Sequence, residues 1–317
     1  MNTTPPSSTI LQISGITELT QWGVIRAVGA DAGNFLQGQL TQDIAQMSLA
    51  DARLAAFCNA KGRMQASFIV VKRSSDEFLL VCNRDILAAT LKRLSMFVMR
   101  AKAVLTDATE DFSLFGMAGD ATKNIAIDAH RVSATATFDD ISVVSLHPGA
   151  GVARALRIAP SAAAAPEGET LEAGLWAWLE VQSGVAMISQ PIFEAFVPQM
   201  LNYESVGGVN FKKGCYPGQE IVARSQFRGT LKRRAYLLHA EITEAQVGQE
   251  VFHASDAGQP CGLVAAWGAN PHGGVDMIVS MQTSAAADAD GAKLALGSPE
   301  GAALHLRTLP YALLEDI

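Results

Sequence analysis

Phe211-Lys212-Lys213-Gly214-Cys215-Tyr216-Pro217-Gly218-Gln219-Glu220-Ile221-Val222-Ala223-Arg224 sets a cysteine between lysines and a tight turn. Tyr216-Pro217-Gly218-Gln219 predicts a type II β-turn, because proline pre-sets φ at the second position and glycine accepts the positive φ of the third. From Gln219 to Ser225 there is no breaker, and Ile221, Val222 and Ala223 permit a helix or a strand; a helix is the preferred reading. A cysteine beside Lys212 and Lys213, near a helix start, would have its thiolate stabilised by positive charge and by the helix dipole. Cys215 is therefore a candidate reactive thiol. A buried, inert thiol is the alternative.

Charge concentrates in the same region. Lys212, Lys213, Arg224, Arg228, Lys232, Arg233 and Arg234 face one acid, Glu220, so the 212–234 window carries +6 in a chain of net charge −7. The asymmetry points to a seat for carboxylates, phosphates or an RNA backbone, with Arg224 a candidate anion contact. A solvated basic face is the alternative, and the window alone does not name the anion.

The 317 residues suffice for two or three domains, and 49% apolar against 17% charged residues describe a globular chain. The acidic balance argues against a general nucleic-acid-coating protein while leaving a local RNA site open. The first 20 residues show no lysine or arginine ahead of an apolar core, and no run approaches the about 18 apolar residues that span a bilayer, so a cytoplasmic protein without a membrane partner is expected. Cys58, Cys82, Cys215 and Cys261 are widely spaced, which signals neither disulfides nor a thiolate metal site, and three of them read as structural. The six histidines show no ligand spacing, and no metal is expected.

Asp31 is expected to cap a helix carrying Phe35, Leu36 and Leu40 and ending near Ile44. The segments 64–71 and 77–82 read as a hairpin across Arg73-Ser74-Ser75-Asp76. Asn83 or Asp85 can cap a helix whose Leu87, Leu91, Leu94 and Val98 form one apolar stripe over a sheet. Strands are expected over 104–144 and 154–158, with a short helix near 120–123. A proline-fenced, alanine-rich linker covers 160–166, and a helix runs from Glu167 to Gln182, ended by Gly184. Beyond Arg234, short apolar runs broken by glycines predict a small β-barrel or sandwich. Trp176 and Trp178 lie about 200° apart around their helix, so they cannot both face one pocket. Nucleotide-loop, dinucleotide, zinc-protease and serine-hydrolase motifs are absent.

Four stretches taken together, Phe35–Asp43 (FLQGQLTQD), Asn59–Met64 (NAKGRM), Val197–Asn202 (VPQMLN) and Phe211–Arg224, resemble the YgfZ family of folate-binding proteins. The likeness extends from about Trp22 to Leu309-Pro310-Tyr311, and the K-x-C-Y-x-G-Q-E pattern is matched at every fixed position by Lys213, Cys215, Tyr216, Gly218, Gln219 and Glu220. The resemblance implies an α+β fold like the aminomethyltransferase of the glycine cleavage system, with two interleaved folate-binding subdomains over 1–230, a joint near 160–168, and a C-terminal β-barrel over 231–317. It implies tetrahydrofolate or a derivative as cofactor, held by Trp22 and Trp176, leaving Trp178 to packing. It further implies a role in maintaining iron–sulfur enzymes such as tRNA thiomethylases, with Cys215 as nucleophile, redox group or transient ligand. Where the related transferases carry paired aspartates, this chain has Ala66 and Ser67, so one-carbon transfer is expected to be lost while folate binding is kept. A folate-dependent transferase or demethylase, and a module contacting tRNA directly through the basic window, are the competing readings.

Overall fold

The computed structural model describes residues 13–123, 132–227, 231–289 and 293–314. Two five-stranded antiparallel sheets are followed by a closed six-stranded antiparallel barrel. One sheet runs Ala52–Cys58, Met64–Lys72, Glu77–Asn83, Trp22–Val28 and Val104–Asp107 in spatial order. The other runs Gly15–Glu18, Phe112–Ala118, Val152–Pro160, Ile141–Gly149 and Thr135–Phe138. Because the second sheet takes its first strand from ahead of the first sheet, the two are interleaved along the chain. Strands Arg233–Ala240, Val275–Gln282, Asp256–Ala269, Glu250–His253, Leu294–Leu296 and Ala302–Arg307 close the barrel.

The first sheet is apolar on both faces, and its alternation separates two cores. Ala66, Phe68 and Val70 with Phe78, Leu80 and Cys82 point to one core, which helices Ala32–Gln37 and Arg84–Val98 cover. Ile69, Val71, Leu79, Val81, Trp22 and Val24 point to the other, where they meet Leu114, Val144, Leu156 and Ile158 of the second sheet. A strand buried on both faces reads as a near-continuous apolar run, which is why 68–71 shows no polar alternation.

Helix Ala173–Gln182 joins the parts. It lies so close to the second sheet and to the barrel that a Cβ on Gly149 would sit 2.1 Å from Leu179 O, and one on Gly268 would sit 2.6 Å from Trp178 Cα. Its Trp178 indole donates to Asp276 Oδ2 at 2.6 Å. Among the described residues no helix is long and apolar enough to cross a membrane.

The hairpin turns at 73–76 as expected, the stripe helix runs Arg84–Val98, and Gly184 follows the helix end with φ +70°. Three expectations require correction. The helix expected from Glu167 starts at Ala173, because Ile16 N donates to Glu169 O and Leu171 N to Ile16 O, which holds the preceding residues extended. The helix expected to reach Ile44 ends at Gln37, whose side-chain Oε1 accepts the N–H groups of Ile44 and Ala45 and turns the chain. Asp31 flanks that helix without a side-chain cap; it accepts Lys102 N–H instead.

Candidate functional site

Between the two sheets lies a cavity of ≈ 50 Å³, with Trp22, Ile69, Leu146, His147, Arg154 and Glu180 in its wall. Arg154 comes from strand Val152–Pro160 and is 4% exposed. Its guanidinium stacks on the Trp176 ring at 4.6 Å, while Nε and Nη1 have no hydrogen-bond partner. Burial lowers its pKa to about 10, opposed by the Glu180 carboxylate. Glu180, on helix Ala173–Gln182, is half-buried and lines the cavity. Burial pushes its carboxyl up to about 7, with Arg154 and the neighbouring Trp176 indole pulling the other way. That indole N–H lies beside Glu180 but outside hydrogen-bonding geometry. Burial also lowers the His147 pKa, opposed by a hydrogen bond with the Val206 backbone and reinforced by Arg154.

Such orphaned buried donors carry a desolvation penalty of about 1–3 kcal/mol each, which a ligand acceptor would relieve. The cavity thus joins an aromatic wall to a cation with unpartnered donors and a carboxyl raised to about 7. That combination suits a flat heteroaromatic ring bearing both acceptor and donor edges. Trp22 stands in this wall. Trp176, 1% exposed, lies behind Arg154 and reaches the site through it.

Cys215 belongs to a second centre. The turn before the helix forms as expected, with Gly218 at φ +80° and Gln219 N donating to Tyr216 O at 3.2 Å, and the helix spans Gln219–Phe227. Cys215 is exposed, whereas Cys58, Cys82 and Cys261 are buried. Burial raises the Cys58 and Cys82 thiols to about 12 and raises Cys261 as well, which makes all three poor nucleophiles.

Lys213 is not the exposed neighbour that the sequence suggested. Its Nζ is turned inward, donating to Leu40 O at 2.6 Å and to Gln37 O, and it lies 5.0 Å from the Tyr216 ring centroid. Burial brings its pKa down to about 8, against the pull of Asp43 and Cys215. Tyr216 is buried and its phenol raised for the same reason. Gln219 and Glu220 open the helix, and Glu220 pairs with Arg224 at 2.6 Å.

The four sequence stretches converge on this loop. A Cβ on Gly218 would meet Asn59 O at 2.4 Å and Gly62 Cα at 2.6 Å, so only glycine lets the two turns touch. Lys213 ties in Gln37 and Leu40, and Gln199 Nε2 donates to Val222 O at 2.6 Å. Arg224 lines a separate groove away from Trp22. Ala66 is fully buried, and Ser67 Oγ accepts Ile188 N–H at 2.7 Å, so no carboxyl stands at these positions.

Arg154, Glu180 and His147 belong to no motif in the sequence. A signal did exist for Glu180: it is the one charge in the apolar run from Leu175 to Val181.

Residues 8–158 match the GCVT N-terminal domain family. The chain is 30% identical over 326 residues to a tRNA-modifying protein YgfZ of Photorhabdus laumondii, covering 98% of this chain and 96% of that one. It is also 30% identical to an uncharacterised protein of Haemophilus influenzae over 245 residues, 75% of this chain and 79% of the relative. Aminomethyltransferase T of the Bartonella henselae glycine cleavage system shares the fold, with a TM-score of 0.65 over 96% of this chain and 88% of that one at 16% identity.

Proposed function

Because the chain belongs to the YgfZ family, we propose that it binds tetrahydrofolate between its two sheets and supports tRNA modification by maintaining iron–sulfur enzymes, with Cys215 as the reactive group. The observation that carries the folate reading is the Trp22-lined cavity with Arg154 in its wall, a buried guanidinium whose Nε and Nη1 have no hydrogen-bond partner. A pterin offers a carbonyl acceptor to a guanidinium, and an N–H with an amino group to a carboxylate such as Glu180. At ≈ 50 Å³ the cavity has room for little more than water, whereas ligand pockets span about 300–1,000 Å³. Binding must therefore part the rim side chains, and the apparent affinity is lowered by the fraction of molecules that are open.

The test is a tetrahydrofolate titration followed by tryptophan fluorescence. Wild type quenches; Trp22→Phe loses most of the signal, and Arg154→Met weakens binding at least tenfold. A wild-type protein that shows no quenching overturns the reading. Cys215→Ala should keep folate affinity and lose activity in a cellular tRNA thiomethylation assay.

One observation favours a folate-dependent transfer reaction as a second reading: Glu180 supplies the cavity with a carboxyl whose pKa is about 7, suited to proton transfer near neutral pH. Turnover of an aminomethyl or N-methyl donor that disappears in Glu180→Gln would establish it.

A further inference from the structure

The seven cations of the 212–234 window do not form one patch. Lys213 turns inward, and Arg234 pairs with buried Glu204 at 2.7 Å while donating to Leu314 O at 2.9 Å. Arg228 lies outside the described residues. Arg224, Lys232 and Arg233 instead line a groove of ≈ 740 Å³ where helix Gln219–Phe227 meets the barrel. Among the described residues no aspartate or glutamate lines this groove, although acids outnumber bases 31 to 24 in the chain. Hydroxyls come from Ser225 and Thr283, and Met200 and Leu231 add apolar surface.

From this we propose that the groove binds the sugar–phosphate backbone of a single-stranded RNA segment, independently of the folate cavity. Three cations along one groove exceed what a lone phosphate needs and match successive phosphates. Arg224 can bind phosphate oxygens through two parallel N–H groups, and Arg233, whose Nη1 donates to Cys261 O at 3.0 Å, offers its remaining N–H groups. Hydroxyl side chains suit phosphate and 2′-hydroxyl contacts, and the apolar surface suits a base or ribose. The volume accommodates a nucleotide or two of an unpaired strand rather than a duplex.

Arg224 is available for this. Its pair with Glu220 is solvent-exposed, 55% for Arg224 and 80% for Glu220, and exposed pairs give way readily to a stronger acceptor. The helix thus carries the cysteine loop at its start and one of the proposed phosphate contacts further along, so RNA held in the groove would lie on the helix that follows Cys215.

Fluorescence anisotropy with the full chain and a labelled 12-nucleotide single-stranded RNA tests the proposal across 50–200 mM salt. Three phosphate contacts predict a slope of about −2 in log affinity against log salt, and Arg224→Glu/Lys232→Glu should weaken binding at least tenfold and flatten the slope by about 1.4. Lys92→Glu/Arg100→Glu makes the same charge change on exposed positions of another region and should keep wild-type affinity. Trp22→Phe should also bind RNA normally, which separates this site from the folate reading. Equal melting temperatures confirm that all variants fold. No saturable binding at 50 mM salt overturns the proposal, as does an equal loss in the control variant. Displacement of the RNA by an equimolar glutamate hexamer would reassign the groove to carboxylate ligands.

Discussion

Removing the Asp276 carboxylate should loosen the helix that carries Trp176 and Glu180. Asp276 is 2% exposed and accepts four hydrogen bonds. Oδ2 takes Trp178 Nε1 at 2.6 Å, Gln182 Nε2 at 2.8 Å and Asn270 Nδ2 at 2.9 Å, and Oδ1 lies 2.8 Å from His239 Nδ1. Two of these partners lie on helix Ala173–Gln182, and the other two belong to the barrel and its hairpin. Asp276→Ala leaves the buried Trp178 and His239 groups without acceptors, each costing about 1–3 kcal/mol, while Gln182 and Asn270 can turn to water. The loss should come to about 3–5 kcal/mol, the scale found when one member of a buried charged network is deleted. An unfolding entropy of about 2.1 cal/mol/K per residue gives about 0.67 kcal/mol/K for 317 residues, so the melting temperature should fall by about 4–8 °C. Asp276→Asn keeps one carbonyl acceptor but aims an amide at existing donors, and should lie between alanine and wild type. Differential scanning calorimetry reads the shift, and tetrahydrofolate titration reads the effect on the cavity. An alanine variant melting within 1 °C of wild type refutes the reasoning, because it would mean that Asp276 does not hold the helix to the barrel.

Glu180 keeps its proton in the folded state up to about pH 7, against an ordinary value of 4.5. Between those values the native state binds more protons than the unfolded chain, so stability falls as pH rises through that window. Glu180→Gln should remove that part of the pH dependence, seen in denaturant midpoints from pH 4.5 to 7.5; an unchanged profile would show that Glu180 titrates normally. Gly218→Ala forces a Cβ against Asn59 O from a backbone with φ +80°, so it should shift the turn and change the rate at which a maleimide labels Cys215. An unaltered rate would mean that this turn does not position the loop.

Local chemistry made part of this legible. Pro217 and Gly218 dictate their turn, the absence of breakers allows the helix after it, and the turn at 73–76 is written in four polar residues between apolar strands. The cysteine motif was identifiable because several residue types must coincide: a glycine to touch a second turn, a lysine to reach two carbonyls, a tyrosine to pack beneath.

The errors came where a distant partner overrode local preference. Residues 169–171 look helical until Ile16 pairs with them, and Lys213 looks like a surface cation until the carbonyls of Gln37 and Leu40 capture it. Arg154 and Glu180 are 26 positions apart in sequence, without a shared motif, and only the packing of a strand against a helix makes them neighbours.

The sequence by itself therefore determined the turns and the family to which the chain belongs, since those rest on short-range sterics and on a fixed string of residue types. Tertiary structure alone decided which cations face solvent and where the half-buried carboxyl of Glu180 and the buried guanidinium of Arg154 meet. Burial and long-range pairing set the charge state and orientation of those groups, and neither is encoded within any one stretch of the chain.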